Sequence, residues 1–530
     1  MKKILVSDKL ADDGINFLNE QTDIQVHIQV GMNEDELCKI IGDYDALLIR
    51  SDTKVTKKVL QAAANLKVVG RAGIGVDNVD IPAATEQGVI VMNTPDANAT
   101  TTAELAIAHM FSLSRNLPEA SVSVRDGKWE RAKLVGAEIN HKTFAILGFG
   151  TIGRLAAKRA VGLGMRVIAY DPFVTPEIFE ECGAESVDLD TLVKEADYLT
   201  LHCPMIDKTR GIIGAEQLKA MKNTAMLINC ARGGLVDEAA LYNALKNGEI
   251  AKAALDVYEQ EPPKESPLFE LDNITFTPHL GASTREAQVA VSVEIARQAV
   301  TYLKTGEAIN ALNLSTKISA EELKKSRPFM MLAKVMGKML VDLAGEPIKT
   351  LEVSLFGKAA ADAEIRPVSV EALVGILAGQ MSTPVNSVNA ENIAKKQGIA
   401  LVESKTEETA EGYVSLVKLT AICAGKTVSV VGTLLGDHHP RIVNVNQFEI
   451  EVIPEGSLLV TEHNDKPGVI SAISSILGES NINISRMQVG VPDTNDKAMA
   501  VISVSSPLPA DILEKIRDLS FVNCAIQINL

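Results

Sequence analysis

An arginine, a glutamate and a histidine fall between Asn229 and Ser283, each in a distinctive local frame. The frames are Asn229-Cys230-Ala231-Arg232-Gly233-Gly234, then Asp256-Val257-Tyr258-Glu259-Gln260-Glu261-Pro262-Pro263, then Thr277-Pro278-His279-Leu280-Gly281-Ala282-Ser283. A guanidinium is always charged and can clamp a carboxylate at two points. A histidine oriented by a glutamate is a proton shuttle near neutral pH. Together they suit proton and hydride transfer at the carbon next to a carboxylate. Singly, each is as much at home as a surface charge or a core imidazole. It is the set, downstream of a nucleotide-type turn, that points to chemistry.

That turn follows the apolar run Thr143-Phe144-Ala145-Ile146-Leu147 and reads Gly148-Phe149-Gly150-Thr151-Ile152-Gly153. Residues 154–164 are rich in Ala, Leu and Lys, as a helix should be, and 165–171 form a second apolar run ending in Asp171. In the pattern strand, G-x-G-x-x-G turn, helix, strand, acid, the glycines let the backbone approach a pyrophosphate that sits on the helix N-terminus. Asp171 falls about 20 residues past the turn, where an acid holds ribose hydroxyls and repels a 2′-phosphate. The expected cofactor is therefore NAD rather than NADP. Further short apolar runs at 196–203, 224–229, 253–258 and 274–277 give the rhythm of a parallel sheet with helices on both faces. The three chemical residues lie at or just past strand ends, where such sheets bind ligands. Cys203 and Cys230 lie there too, and a packing role suits them at least as well as chemistry.

At 530 residues the chain is long enough for about three to four domains. Its hydrophobic fraction of 46% supports complete folding, and 52 Lys plus Arg against 68 Asp plus Glu give a net charge of −16. No basic run stands out, which argues against nucleic acid as the main partner. Six scattered cysteines form no C-x-x-C pair, so neither a disulfide framework nor a zinc site is indicated. The apolar run at the start is too short for a signal peptide, and no run of eighteen apolar residues suggests a membrane span. A cytoplasmic location is the plain expectation.

Residues 1–97 read as a first α/β unit, with short strands near 4–6, 25–30, 46–50, 67–70 and 89–93. Residues 98–281 hold the nucleotide motif, and 312–327 read as a polar joint containing Ser315, Thr316, Lys317 and Ser319. Residues 318–453 are moderately apolar and carry no chemical motif beyond the cluster His438-His439-Pro440-Arg441. Residues 457–530 read strand, helix, strand, strand, helix, strand, the order of a ferredoxin-like module.

These residues resemble the D-isomer-specific 2-hydroxyacid dehydrogenases, and the four-part layout is similar to the long-form phosphoglycerate dehydrogenases among them. Gly148 to Gly153, Asp171, the frames of Arg232, Glu261 and His279, and the segment Arg71-Ala72-Gly73-Ile74-Gly75-Val76-Asp77-Asn78 carry the resemblance. It implies two doubly wound, Rossmann-like parallel-sheet domains, an α+β intervening domain and a ferredoxin-like ACT domain. The expected divisions are 1–97 with 282–312 for substrate, the helix at 283–305 packing back on the first unit. The others are 98–281 for NAD, 318–453 intervening and 457–530 ACT, with hinges near 97 and 282.

By the same resemblance Arg232 holds the substrate carboxylate and 2-oxygen, His279 is the acid/base and Glu261 orients it. Gly148, Gly150, Thr151, Ile152, Gly153, Asp171, Cys203, Cys230, Ala231, Asp256 and Gly281 would line the NAD site. Arg50 and Arg71 would lie near a substrate phosphate, a dianion that suits guanidinium donors. The implied substrate is 3-phosphoglycerate and the implied assembly a homotetramer, with the segment of Trp129 at a subunit interface. L-serine is the implied effector, held by His463, Asp465 and Asn483, with Asp465 standing where many relatives have Asn. An anion or substrate site is implied in the intervening domain. Other readings are a glyoxylate, hydroxypyruvate or pyruvate reductase, a non-enzymatic NAD-sensing scaffold, and an amino-acid sensor.

Overall fold

The computed structural model describes residues 1–95, 97–314, 318–381, 384–409, 412–436, 438–492 and 496–530. Ser315, Thr316 and Lys317 of the expected polar joint lie outside the described residues. The first sheet has five parallel strands, β1 (Lys2–Val6), β2 (Ile24–Ile28), β3 (Ala46–Ile49), β4 (Val68–Arg71) and β5 (Ile90–Met92). They are ordered β2-β1-β3-β4-β5. Ala46, Leu47, Leu48 and Ile49 are all buried, an unbroken apolar run that a sheet covered on both faces requires. The helix Arg285–Thr305 returns from the far end of the second sheet to cover one of those faces. Its Val291, Ile295, Ala296 and Ala299 share a core with Ile4, Val6 and Leu48.

The second sheet has seven parallel strands: β6 (Thr143–Leu147), β7 (Arg166–Tyr170), β8 (Ala184–Ser186), β9 (Tyr198–Leu201), β10 (Met226–Asn229), β11 (Lys252–Leu255) and β12 (Ile274–Phe276). Their order is β12-β11-β10-β9-β6-β7-β8, so the winding reverses between β6 and β9 and opens a crevice at their carboxyl ends. The sequence gives no sign of β8, because Ala184-Glu185-Ser186 is a short edge strand with two exposed residues and no apolar run. The run at 253–258 overshoots β11: Asp256, Val257 and Tyr258 are buried, yet they belong to the loop above the strand. Gly148 has φ of 95°, which only glycine adopts freely, and a Cβ on Gly153 would overlap the Gly148 carbonyl oxygen. The connector helix Ala99–Arg115 joins the two units. Its Thr102 Oγ1 donates to the Gly281 carbonyl at 2.9 Å, so the two chain crossings lie side by side.

The third sheet contains β13 (Ile348–Gly357), β14 (Ala400–Thr406), β15 (Ser415–Cys423), β16 (Thr427–Leu435), β17 (His439–Val445) and β18 (Phe448–Val452), ordered β14-β13-β15-β16-β17-β18. Only its β13–β14 pair is parallel. A long helix, Ala320–Ala344, begins inside the stretch expected to be a joint. Ser319 and Glu322 form a capping box there, with Glu322 Oε2 accepting from the Ser319 amide at 2.8 Å. This helix crosses Ile365–Leu377 at a glycine pair: a Cβ on Gly337 would overlap the Ala372 carbonyl, and one on Gly375 the Lys334 carbonyl.

The fourth sheet is antiparallel, with β19 (Ser457–Asn464), β20 (Ile484–Gly490), β21 (Lys497–Val504) and β22 (Val522–Asn529) ordered β20-β21-β19-β22. Helices Val469–Glu479 and Ala510–Arg517 complete the β-α-β-β-α-β order read from sequence. Strand alternation splits its apolar residues between two cores. Leu459, Ala500 and Ile502 face the unit's own helices, whereas Leu458, Val460, Met499, Val501 and Ile528 join the core built around the helix Ala320–Ala344. Among the described residues, no helix is long and apolar enough to cross a membrane.

Gly375→Leu forces two helix backbones apart and is expected to destabilise the C-terminal half by about 1–3 kcal/mol, as overpacking does. The expected readouts are a lower denaturation midpoint and faster amide exchange over residues 320–377.

Candidate active site

His279 stands in the turn after β12, and its Nδ1 lies 2.7 Å from Glu261 Oε2. The other Glu261 oxygen accepts from the Tyr258 amide at 3.2 Å. Burial pushes the Glu261 carboxyl up. The hydrogen bond and charge of His279, the Tyr258 amide and nearby Arg232 outweigh burial, and the net shift is downward. An ionised carboxylate only accepts, so Nδ1 carries the proton and Nε2 presents a lone pair to the cleft. His279 has φ of 54°, a left-handed conformation costly for a non-glycine residue. Asp256 holds the backbone in this shape. It is fully buried, its Oδ1 accepts from Thr277 Oγ1 at 2.6 Å and the Leu280 amide at 2.7 Å, and its Oδ2 accepts from the Gly281 amide at 2.9 Å.

Arg232 leaves the turn after β10. The Asn229 side chain clasps that turn, accepting from the Ala231 amide at 3.0 Å and donating to the Arg232 carbonyl at 2.9 Å. The guanidinium crosses to the first unit, where Nε donates to Asp77 Oδ2 at 3.1 Å. Arg71, at the end of β4, reaches Ser51 Oγ at 3.3 Å. A Cβ on Gly73 would overlap the Arg71 guanidinium, and one on Gly75 that of Arg232. These two glycines let both cations lie against one loop. Arg50 follows β3, and its amide donates to buried Asp8 at 2.6 Å. Burial, then Arg232 and Arg50, push Arg71 down to about 10 against the opposing pull of Asp77 and Asp8. Arg71 Nε is buried with no hydrogen-bond partner. The fold thus brings Arg50, Arg71 and Arg232 to one space, a cluster of positive charge suited to a ligand with more than one anionic group.

The nucleotide turn enters the helix Thr151–Gly162 through Gly150, a residue with no side chain to cap it, and the positive end of that helix suits an anion. Asp171 ends up bonded to the turn itself, accepting from the Phe149 amide at 2.8 Å and the Phe173 amide at 3.0 Å. Ile152 and Gly153 lie in the first turn of that helix, and Ala231 and Gly281 in the loops after β10 and β12, along the same carboxyl edge. Helix end, glycine turn and carboxylate fit a dinucleotide with free ribose hydroxyls. Burial pushes the Cys203 thiol up to about 11 and the Cys230 thiol well above its usual range.

The three candidate effector residues are not brought together within one chain. His463 is buried in β19, with Nδ1 3.3 Å from Thr461 Oγ1, and is closed off from solvent. Its position on the inner face of a strand, rather than in the loop, is the reason. Asp465 is exposed at one end of the sheet, beside the Asn464–Lys497 pair. Asn483 is exposed at the other, next to the Ile484–Val504 pair. The whole of β21 separates them, roughly 20–25 Å. In the third unit, Arg441 Nε lies 3.6 Å from Glu451, so its charge is already paired.

Several structuring residues escape a sequence reading. Asp77 stands inside a recognisable segment, but its partner Arg232 lies 155 residues away, on a surface that only folding joins, whereas the clasp by Asn229 is local to its own turn. Asp8 and His109 carry no spacing signal at all.

Three family models match successive parts of the chain. The NAD-binding domain of D-isomer-specific 2-hydroxyacid dehydrogenases covers 107–281, the D-3-phosphoglycerate dehydrogenase intervening domain 325–446, and the ACT domain 456–521. The D-3-phosphoglycerate dehydrogenase of Methanocaldococcus jannaschii is 41% identical over 531 residues, spanning 100% of both chains. That of Synechocystis is 42% identical over 530 residues, covering 100% of this chain and 95% of its own. Among solved structures, a glyoxylate reductase from Paecilomyes thermophila superposes with a TM-score of 0.54 at 30% identity. It covers 59% of this chain and 98% of its own.

The crowding around Arg71 costs stability at every pH below its lowered pKa of about 10, and the cost is relieved only as the pH rises from there toward the ordinary value of 12.5. Arg71→Met should therefore raise the stability of the anion-free protein by roughly 1–3 kcal/mol. Thermal melting checks this: the variant should melt higher, and added phosphate should stabilise the wild type more than the variant.

Proposed function

The chain belongs to the D-3-phosphoglycerate dehydrogenase family, within the D-isomer-specific 2-hydroxyacid dehydrogenases, and from that premise we propose how its residues carry the reaction. The reaction is NAD-dependent oxidation of 3-phospho-D-glycerate to 3-phosphohydroxypyruvate, the step that opens L-serine biosynthesis. Arg232 grips the substrate carboxylate and 2-oxygen. Arg50 and Arg71 take the phosphate. His279 Nε2 removes the proton of the 2-hydroxyl, and Glu261 stabilises the imidazolium that forms. Bound NAD supplies the hydride acceptor. The observation that carries this reading is the 2.7 Å Glu261–His279 hydrogen bond with Arg232 close to it, itself grouped with Arg50 and Arg71. A histidine base contributes about 10²–10⁴-fold, and fixing the substrate between two units supplies much of the remainder. In the reductive direction the same Nε2, protonated, returns the proton.

Four working parts go with this reading: residues 1–97 with 282–312 bind substrate, 98–281 bind NAD, 318–453 form the intervening domain and 457–530 the ACT domain. L-serine is the effector, and its site spans two modules from different chains, with Asp465 of one taking the ammonium and Asn483 of the other a carboxylate oxygen. The separation of these residues within one chain supports a shared site. The assembly is a homotetramer, located in the cytoplasm. Exposed apolar side chains at Leu117, Val122, Val124, Val135 and Trp129, the last 79% exposed, offer a surface for association.

With NADH, the pure protein should reduce 3-phosphohydroxypyruvate in clear preference to hydroxypyruvate, glyoxylate and pyruvate; equal rates on all four would remove the phosphate-specific role of Arg50 and Arg71. His279→Ala should lose at least about 10²-fold in turnover while still binding NADH. Glu261→Gln should keep part of the activity with a displaced pH profile. Near wild-type turnover by His279→Ala would end the acid/base assignment.

Calorimetry should detect L-serine binding to the intact protein at millimolar concentration or below, and Asp465→Ala and Asn483→Ala should each abolish it. Sedimentation of the same samples should give four chains per particle. No serine binding by the wild type would leave the module a purely structural role.

A further inference from the structure

A relay of hydrogen bonds runs from the connector helix to the turn that carries His279. His109, in the middle of Ala99–Arg115, has its Nε2 3.2 Å from Thr277 Oγ1. That hydroxyl donates to Asp256 Oδ1 at 2.6 Å, so the lone pair it turns toward His109 requires an N–H there. Asp256 in turn holds the amides of Leu280 and Gly281, and its carbonyl accepts from the His279 amide at 2.9 Å. The His109 ring is buried, and burial, against the opposing pull of Asp256, pushes its pKa down. The imidazole is therefore neutral, which leaves one ring N–H for this bond. A packing role alone would be better served by an apolar side chain, because a buried polar ring is costly unless bonded. Two residues of the same helix also hold the loop: Thr102 bonds Gly281, and Thr101 lies 3.3 Å from Thr284 Oγ1.

We propose that His109 is a positioning residue for proton transfer: acting through Thr277 and Asp256, it fixes the turn that aims His279 and ties that aim to the helix joining the two units. The proposal rests on the reading of His279 as the acid/base. It assigns His109 no contact with substrate or cofactor. Its role is to keep a strained turn, with His279 at φ of 54°, in one conformation as the cleft opens and closes.

Three substitutions separate this role from packing. Glutamine puts its amide nitrogen where the imidazole Nε2 lies; asparagine stops one bond short; leucine fills the space without a donor. His109→Leu and His109→Asn should lower kcat about tenfold, with KM for NADH and for the keto acid within about twofold, while His109→Gln stays within about threefold of wild type. The melting temperature should follow a different order, with His109→Leu at or above wild type. Thr277→Val, which also takes a donor directly from Asp256, should lower kcat at least as far as His109→Leu, and adding His109→Leu to it should lower kcat little further, since both cut one relay. Equal kcat for the Leu and Gln variants, or losses that track melting temperature, would overturn the proposal. If His109→Leu fails to fold, the comparison of Gln with Asn decides alone, and equal activity overturns it. If His279→Ala keeps its turnover, the acid/base reading falls; if it is inactive and His109→Leu is unimpaired, only the present inference falls.

Discussion

Asp256 is wholly buried, and among the described residues no ion pair neutralises it. A carboxylate in that position must find hydrogen-bond donors within the protein, because a buried polar group without them is costly. Thr277 and the amides of Leu280 and Gly281 are those donors, and they belong to the turn that contains His279. The need to satisfy one buried anion therefore shapes the loop and carries His279 into a backbone conformation it would not adopt alone. The 2.7 Å bond to Glu261 then fixes the ring. Proton chemistry at this edge depends on an electrostatic requirement one layer below it.

The opposite arrangement lies across the cleft. Arg50, Arg71 and Arg232 are crowded together, and Arg71 keeps a buried, unpartnered Nε. Nothing in the folding of the first sheet calls for this; Asp77 and Asp8 offset the repulsion only in part, and the cluster still holds Arg71 below its ordinary range. Gly73 and Gly75 are the permissive residues, because a methyl group at either would expel a guanidinium. Arg50 and Arg71 come from the first unit and Arg232 from the second, so a ligand that satisfies all three also holds the units together.

The C-terminal half is built on a different constraint. A ferredoxin-like sheet covered by helices on one side leaves the other apolar and open. Here the second face, with Leu458, Val460, Met499, Val501 and Ile528, is closed by the core around the helix Ala320–Ala344. The last module therefore cannot move as an independent bead. Its sheet packs on a 25-residue helix whose Arg327 donates to the Thr305 carbonyl at 2.9 Å, at the end of the helix that covers the first unit. Gly337 and Gly375 allow that helix and its neighbour to touch backbone to backbone, which makes the contact stiff.

Local patterns in the sequence suffice for much of this protein. The turn Gly148 to Gly153, the strand rhythm of the two parallel sheets, the β-α-β-β-α-β order at the end and the frames of Arg232, Glu261 and His279 are all written in short segments, because each depends on neighbours a few residues away. Edge strand β8 is invisible, since an exposed three-residue strand needs no apolar pattern, and the Ser319–Glu322 capping box was hidden inside a polar stretch. What only the tertiary structure decided is which distant groups meet. The Asp77–Arg232 pair, the burial of Asp256 under its donors, the inward turn of His463 and the separation of Asp465 from Asn483 all depend on how sheets and loops from separate parts of the chain are stacked. A side chain's burial, charge partner and direction are properties of the packed interior, and no spacing along the chain encodes them.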